Sequence, residues 1–129
     1  MSLAKMISLH PDVRGNPNEA LATAARHAMF RADMCTSCAD ACSAEKMDMR
    51  QCIRSCSDCA DVCDATAKLS VRRTGQNVEV VEAMLEACAR TCELCAEECN
   101  RHEHEHCRLC AEMCLECAQD CRNALATVH

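Results

Sequence analysis

The stretch Cys107-Arg-Leu-Cys110-Ala-Glu-Met-Cys114-Leu-Glu-Cys117-Ala-Gln-Asp-Cys121 sets its cysteines alternately three and four residues apart. In an α-helix those intervals return a side chain to one face. The stretch is a stripe of thiols where a bundle helix ordinarily carries leucine. Its unit, CxxCAxxC, recurs at Cys35, Cys38 and Cys42, at Cys56, Cys59 and Cys63, and at Cys92, Cys95 and Cys99. Cys52 and Cys88, each four residues upstream, lengthen two of these runs. Sixteen of the 129 residues are cysteine, and all belong to these stripes.

Extended as a heptad, the pattern puts Cys56, Cys63, Cys92, Cys99, Cys107, Cys114 and Cys121 at a, and Cys52, Cys59, Cys88, Cys95, Cys110 and Cys117 at d. Cys35 and Cys42 fall on a and Cys38 on d. The residue after a d cysteine is Ala39, Ala60, Ala89, Ala96, Ala111 or Ala118, small enough to let helices approach closely; Ile53 is the exception.

Helix boundaries follow from capping signals. Asn16-Pro17-Asn18-Glu19 reads as a start with Asn16 as cap, and that helix runs to about Ala44. Asp48 with Gln51 opens a second helix that reaches about Arg73, with Gly75 as terminator. A third runs from near Asn77 to about Cys99, and Asn100 with Glu103 opens a fourth that reaches about Val128. The pattern predicts an all-α fold, an antiparallel up-down four-helix bundle with a cysteine-lined core. Residues 1–15 read as an N-terminal leader segment and residues 16–129 as the metal-binding bundle.

Composition demands that the cysteines fill the core. The chain has one Phe, no Tyr and no Trp, and between Cys35 and Cys63 the only larger apolar residues are Ile53, Val62, Met47 and Met49. Cysteine above about 10% usually marks a secreted disulfide scaffold. Here Met1 to Asn18 shows no apolar signal segment, and two glycines and two prolines are too few for a loop-rich scaffold. The expected location is the cytoplasm, where thiols stay reduced. A net charge of −6 without a basic patch argues against nucleic acid, and no apolar run is long enough to span a membrane.

Folding the hairpins pairs Cys42 with Cys52, Cys38 with Cys56 and Cys35 with Cys59. A turn near Glu103 pairs Cys99 with Cys107, Cys95 with Cys110, Cys92 with Cys114 and Cys88 with Cys117. The thiols then fill one half of the core. Leu21, Ala24, Ala28, Leu69, Val78, Val81, Leu85, Leu125 and Val128 fill the other. Met47 and Met49 at one turn, and His102, His104 and His106 at the other, surround the thiol-rich end. They offer soft ligands that capture Cu(I) and pass it inward, with His104 and His106 favoured because they immediately precede Cys107. Read more plainly, Arg101-His-Glu-His-Glu-His is a solvated polar turn. Met34 and Met113 read as packing, and His10, His27 and His129 as surface residues. Leu94 and Leu109 at c and Leu115 at b face away from the seam and suggest a contact between subunits.

Soft thiolates suit Cu(I), Zn(II) and iron–sulfur clusters. One Cu(I) per thiolate leaves a neutral core, whereas four Zn(II) sites of four thiolates would leave about eight buried negative charges. Arg31, one turn before Cys35, is the nearest cation, and none stands on the seam itself in this reading. The ferredoxin run with its trailing proline is absent. The reading is a store of many Cu(I) ions, a binding protein and not an enzyme. The alternatives are a thiolate buffer for zinc or cadmium, and an Fe–S or dithiol redox protein.

On the CxxCAxxC repeats spread over all four helices, the chain resembles the copper storage proteins across about residues 17–128. The resemblance implies four-helix bundles whose cysteines bind many Cu(I) ions. Without a visible leader peptide, it is similar to the cytosolic branch. That likeness implies a homotetramer and a histidine-bearing mouth at His102, His104 and His106. Candidate copper donors are a copper chaperone or a low-molecular-weight thiol.

Overall fold

A computed structural model describes residues 2–128; Met1 and His129, and with the latter its reading as a surface residue, lie outside the described residues. Five α-helices follow one another: α1 (Leu3–Ser8), α2 (Glu19–Ser43), α3 (Arg50–Val71), α4 (Val78–Cys99) and α5 (Glu105–Leu125). No strand occurs among the described residues. α2 packs against α3 and α5, α4 packs against the same two helices, and α1 lies on α2. The result is a packed helical bundle around a single core.

Residues 1–15 contain a helix that their mixed composition did not announce. Ser2 caps α1 by accepting a hydrogen bond from Lys5 N at 3.1 Å, and Ala4 is buried. The start of α2 also differs from expectation. Its N-cap is Asn18 and not Asn16: Asn18 Oδ1 accepts from Leu21 N at 3.0 Å while its Nδ2 donates to Thr127 Oγ1 at 3.0 Å. The same side chain thus ties the start of α2 to a residue 109 positions away.

Asp48 accepts from Arg50 N at 3.0 Å, in a tight local turn, so α3 begins at Arg50 with Met49 as its cap residue. Gly75 takes no positive φ and does not terminate α3. That loop is closed by Asn77, whose Oδ1 accepts from Thr74 N at 2.8 Å and whose Nδ2 donates to Arg72 O at 3.3 Å. At the last turn, residues 100–104 are non-helical and His104, not Asn100, is the cap residue of α5.

The apolar half of the core contains Leu21, Ala24, Ala28, Val81, Leu85 and Val128, all buried, with Leu125 packed against them. Leu69 and Val78 are only half-buried. α3 instead turns Thr66, Ala67 and Ser70 inward, the residues that its own heptad frame carries forward from Cys63. Thr66 meets the cost of burial by donating Oγ1–H to Val62 O at 2.7 Å.

Because Asn18 both caps α2 and ties it to the end of α5, Asn18→Ala should destabilise the metal-free protein by about 1 kcal/mol, the usual loss of an N-cap. Thermal unfolding followed by far-UV circular dichroism should show a midpoint lowered by a few degrees with copper capacity unchanged. An unaltered midpoint would show that neither contact matters.

Candidate metal centre

All sixteen cysteines are free and buried. The most exposed, Cys38, is 4% accessible. Their sulfurs form a continuous column across the helices. Cys42 and Cys52 lie 3.5 Å apart, Cys52 and Cys99 4.0 Å, Cys56 and Cys99 3.7 Å, and Cys56 and Cys95 3.9 Å. Deeper in the bundle Cys59 and Cys92 lie 3.7 Å apart, Cys63 and Cys92 3.7 Å, and Cys63 and Cys88 3.8 Å.

Three levels of this column bring four sulfurs within 4.8 Å of one another: Cys38 with Cys56, Cys99 and Cys110; Cys35 with Cys59, Cys95 and Cys114; and Cys63 with Cys88, Cys92 and Cys117. The neighbours expected between α2 and α3 are met. Between α4 and α5 the expected pair Cys88 and Cys117 shares a level, and Cys99 also lies with Cys110, Cys95 with Cys114, and Cys92 with Cys117.

The mouth is built from both turns. Cys38, Cys42, Cys107 and His106 offer ligand atoms within 4.8 Å of one another, and Glu45, His104 and His106 form a second such set. His106 Nδ1 is 3.4 Å from Cys38 Sγ and 3.6 Å from Cys107 Sγ, while its Nε2 is 2.9 Å from Glu45 Oε2. His104 stacks on His106 with centroids 5.5 Å apart, and its Nε2 is 3.3 Å from Met47 Sδ. Met47 is exposed and Met49 buried. His102 turns elsewhere, with Nε2 2.9 Å from Glu98 Oε2. His27 pairs with Asp120, and His10 accepts from Asp12 N at 3.0 Å.

Two residues at the column escaped the sequence reading. Glu45 sits two residues before Met47, and nothing in its local sequence marks it. Arg31 was placed off the seam, and the structure corrects this. It is 1% exposed and its Nη2 donates to Cys35 Sγ at 2.8 Å, Cys114 Sγ at 2.8 Å and Cys110 Sγ at 3.2 Å. The signal was available, since Arg31 stands seven residues before Cys38 and therefore at d. Burial alone lowers the Arg31 pKa, but the Coulombic pull of Cys114, Cys35 and Cys110 outweighs it and holds the group above its ordinary value.

A helical bundle whose interior is a column of converging free thiols is a reservoir for soft metal ions. The chain belongs to the copper storage protein family, which it matches over residues 17–126. It is similar to a copper storage protein from Streptomyces lividans loaded with 10 copper equivalents, with a TM-score of 0.89 and 43% identity over 97% of this chain and 98% of the other. A structure of a cytosolic copper storage protein from the same organism, holding five coppers, aligns with a TM-score of 0.80 and 48% identity over 84% of this chain and 93% of its own. A cysteine-rich protein of Bacillus subtilis (strain 168), YhjQ, is 34% identical over 58 residues, which span 45% of this chain and 54%, about half, of that relative. Storage of copper on buried cysteines is the function these findings assign to the chain.

Burial pushes the Cys107 thiol up from 9.0 to about 11, and burial is also the leading cause of the rise at Cys42. A raised thiol pKa stabilises the fold fully below the unfolded value and is lost as pH rises through the folded one. The metal-free protein should therefore hold the Cys107 contribution to its thermal midpoint up to about pH 9 and lose that contribution progressively toward about pH 11. Loaded protein, its thiolates already formed, should depend less on pH. Anaerobic calorimetry of both forms measures this, and parallel profiles would contradict the account.

Proposed function

We propose that the chain stores many Cu(I) ions as cargo on all sixteen cysteines, without catalysing a reaction. The observation that carries this reading is the unbroken column of sulfurs, in which single thiols stand within reach of more than one level. Such a column suits bridging thiolates, which share metals between levels, better than isolated tetrahedral sites. Convergence of four sulfurs alone would also admit Zn(II). Charge separates the two: Arg31 offsets only one of the roughly eight negative charges that four such zinc sites would leave.

The helix packing supports an antiparallel up-down arrangement of α2 to α5. Each is adjacent to the next, α2 and α5 close the ring, and Cys42 meets Cys52 just across the first turn. The family match over residues 17–126 supports residues 16–129 as the metal-binding unit and residues 1–15 as an appended segment. The likeness to a cytosolic storage protein favours a cytoplasmic location. No helix of the described residues is long and apolar enough to cross a membrane. Exposed Leu94, Leu109 and Leu115 favour a homo-oligomer, a tetramer by resemblance. Copper would reach it from a chaperone or a small thiol.

We place uptake at the mouth. Glu45, His104, His106 and Met47 lie outside the first thiols, and imidazole and thioether bind Cu(I) more weakly than thiolate does, which suits transfer. Met49 lies within the core cluster and His102 is engaged by Glu98, so both have lesser parts.

Titration against a Cu(I)-specific chelator should reach about one Cu(I) per thiolate or slightly more, as near-neutrality of a buried core requires. Saturation near four ions per chain would indicate zinc-type sites and end the copper reading. Replacing His104 and His106 together with alanine should slow loading and release while the interior capacity stays nearly constant. Stopped-flow rates equal to those of the native protein would reduce the histidines to a decoration of the turn.

A further inference from the structure

The mouth contains one ligand that Cu(I) does not call for. Glu45 offers a hard carboxylate oxygen, whereas Cu(I) is best served by thiolate, thioether and imidazole. The charge of Glu45 attracts any cation, yet its Oε2 is also placed with care. His106 Nε2 lies 2.9 Å from it and His104 Nδ1 3.3 Å. Each imidazole thus turns one nitrogen to the same oxygen and the other to a sulfur. His104 Nε2 is 3.3 Å from Met47 Sδ, and His106 Nδ1 is 3.4 Å from Cys38 Sγ. The two rings stack 4° from parallel, and the ligand atoms of the three residues lie within 4.8 Å of one another. Ligand atoms bound about 2.0–2.2 Å from one ion stand about 3 Å apart, close to both separations at Glu45. All three side chains are half-buried, sheltered by the turns and still within reach of an ion from solvent.

We propose that Glu45, His104 and His106 form a site for one divalent transition-metal cation, separate from the thiol column, and that an ion held there closes the mouth to Cu(I). The site stands on its own geometry; closure rests on the copper storage reading with the mouth as the way in and out. Two imidazoles and one carboxylate with open positions are a donor set for dications of the Zn(II), Co(II) or Fe(II) kind. The charge left over after Glu45 is met by water, which reaches this end of the bundle, so no buried counter-ion is required. A metal-bound imidazole nitrogen has no proton, and the neutral ring carries its single proton on the other nitrogen. With the dication on Nε2, His106 points Nδ1–H at Cys38 and has no lone pair left for Cu(I). His104 likewise turns Nε2–H toward Met47. Both imidazoles leave the copper path together, while the ring protons are retained and neither metal changes oxidation state.

The test uses the full chain, saturated with Cu(I) under anaerobic conditions so that the thiols are occupied, with Co(II) as the probe. The native protein should take up one Co(II) per chain. Its difference spectrum should show the weak visible bands of nitrogen and oxygen ligation without sulfur-to-cobalt charge transfer. Glu45→Gln should bind Co(II) at least about tenfold more weakly, since even a residue behind a metal ligand is worth that much. His104→Ala, which removes a different ligand, should weaken it as well. Transfer of copper from the loaded native protein to a chromophoric chelator selective for Cu(I) should slow several-fold when Co(II) is added. In Glu45→Gln the same addition should leave the rate unchanged. Absence of nitrogen- and oxygen-ligated Co(II) would overturn the site, and so would equal affinity in Glu45→Gln. Sulfur-to-cobalt absorption would place the ion among the thiols and overturn it too. Co(II) bound as expected with no effect on copper transfer would overturn closure. A native chain that took up no Cu(I) at all would instead defeat the storage reading itself.

Discussion

Contact between sulfurs of neighbouring helices, at separations of 3.5 to 4.0 Å, is what the rest of the molecule is arranged around. Thiols are small, so four long helices stand close together, and the alanines Ala60, Ala89, Ala96, Ala111 and Ala118 beside the seam are buried in that approach. Neutral thiols behave as weakly polar hydrophobes and cost little to bury. The metal-free core is thus cohesive through the same atoms that accept copper. On the proposed storage reading, loading would replace S–H bonds by S–Cu bonds on thiols that the metal-free fold already gathers.

The cysteine stripes were legible because a helix converts spacing directly into a face, and each of the sixteen cysteines is buried as its heptad position requires. What eluded the sequence depended on partners remote along the chain or on the exact length of a loop. Asn18 caps α2 and also reaches Thr127, a contact that the local sequence does not show. The last turn takes residues 100–104, so α5 starts at Glu105 with His104 as its cap residue, a boundary that Asn100 and Glu103 did not mark. Leu69 was expected in the apolar half of the core, yet Thr66 and Ser70 are the buried residues there. The heptad frame, which had already located the thiols, overrides that expectation.

Arg31 shows the same frame carrying more information than its residue types suggest. A charged residue at d reads as an exception to be moved off the seam. In the structure it stays at d because the seam is made of sulfur, which can accept its hydrogen bonds, and not of leucine, which cannot. A cation there is the complement of a core whose ligands become anions.

Charge, more than ligand geometry, then separates the metals this interior can hold. Four sulfurs within 4.8 Å at three successive levels would satisfy a tetrahedral dication as readily as a cluster of monocations. A dication on four thiolates leaves two negative charges at each level, and one guanidinium meets only a fraction of that total. A monocation on each thiolate leaves almost none. The gradient continues at the mouth on the proposed path: the Glu45 carboxylate, between His104 and His106, draws a cation inward. The imidazoles hold it loosely, and Cys38, Cys42 and Cys107, within reach of His106, bind more strongly. Each step inward offers a softer ligand, so the direction of copper movement is set by the order in which the side chains stand.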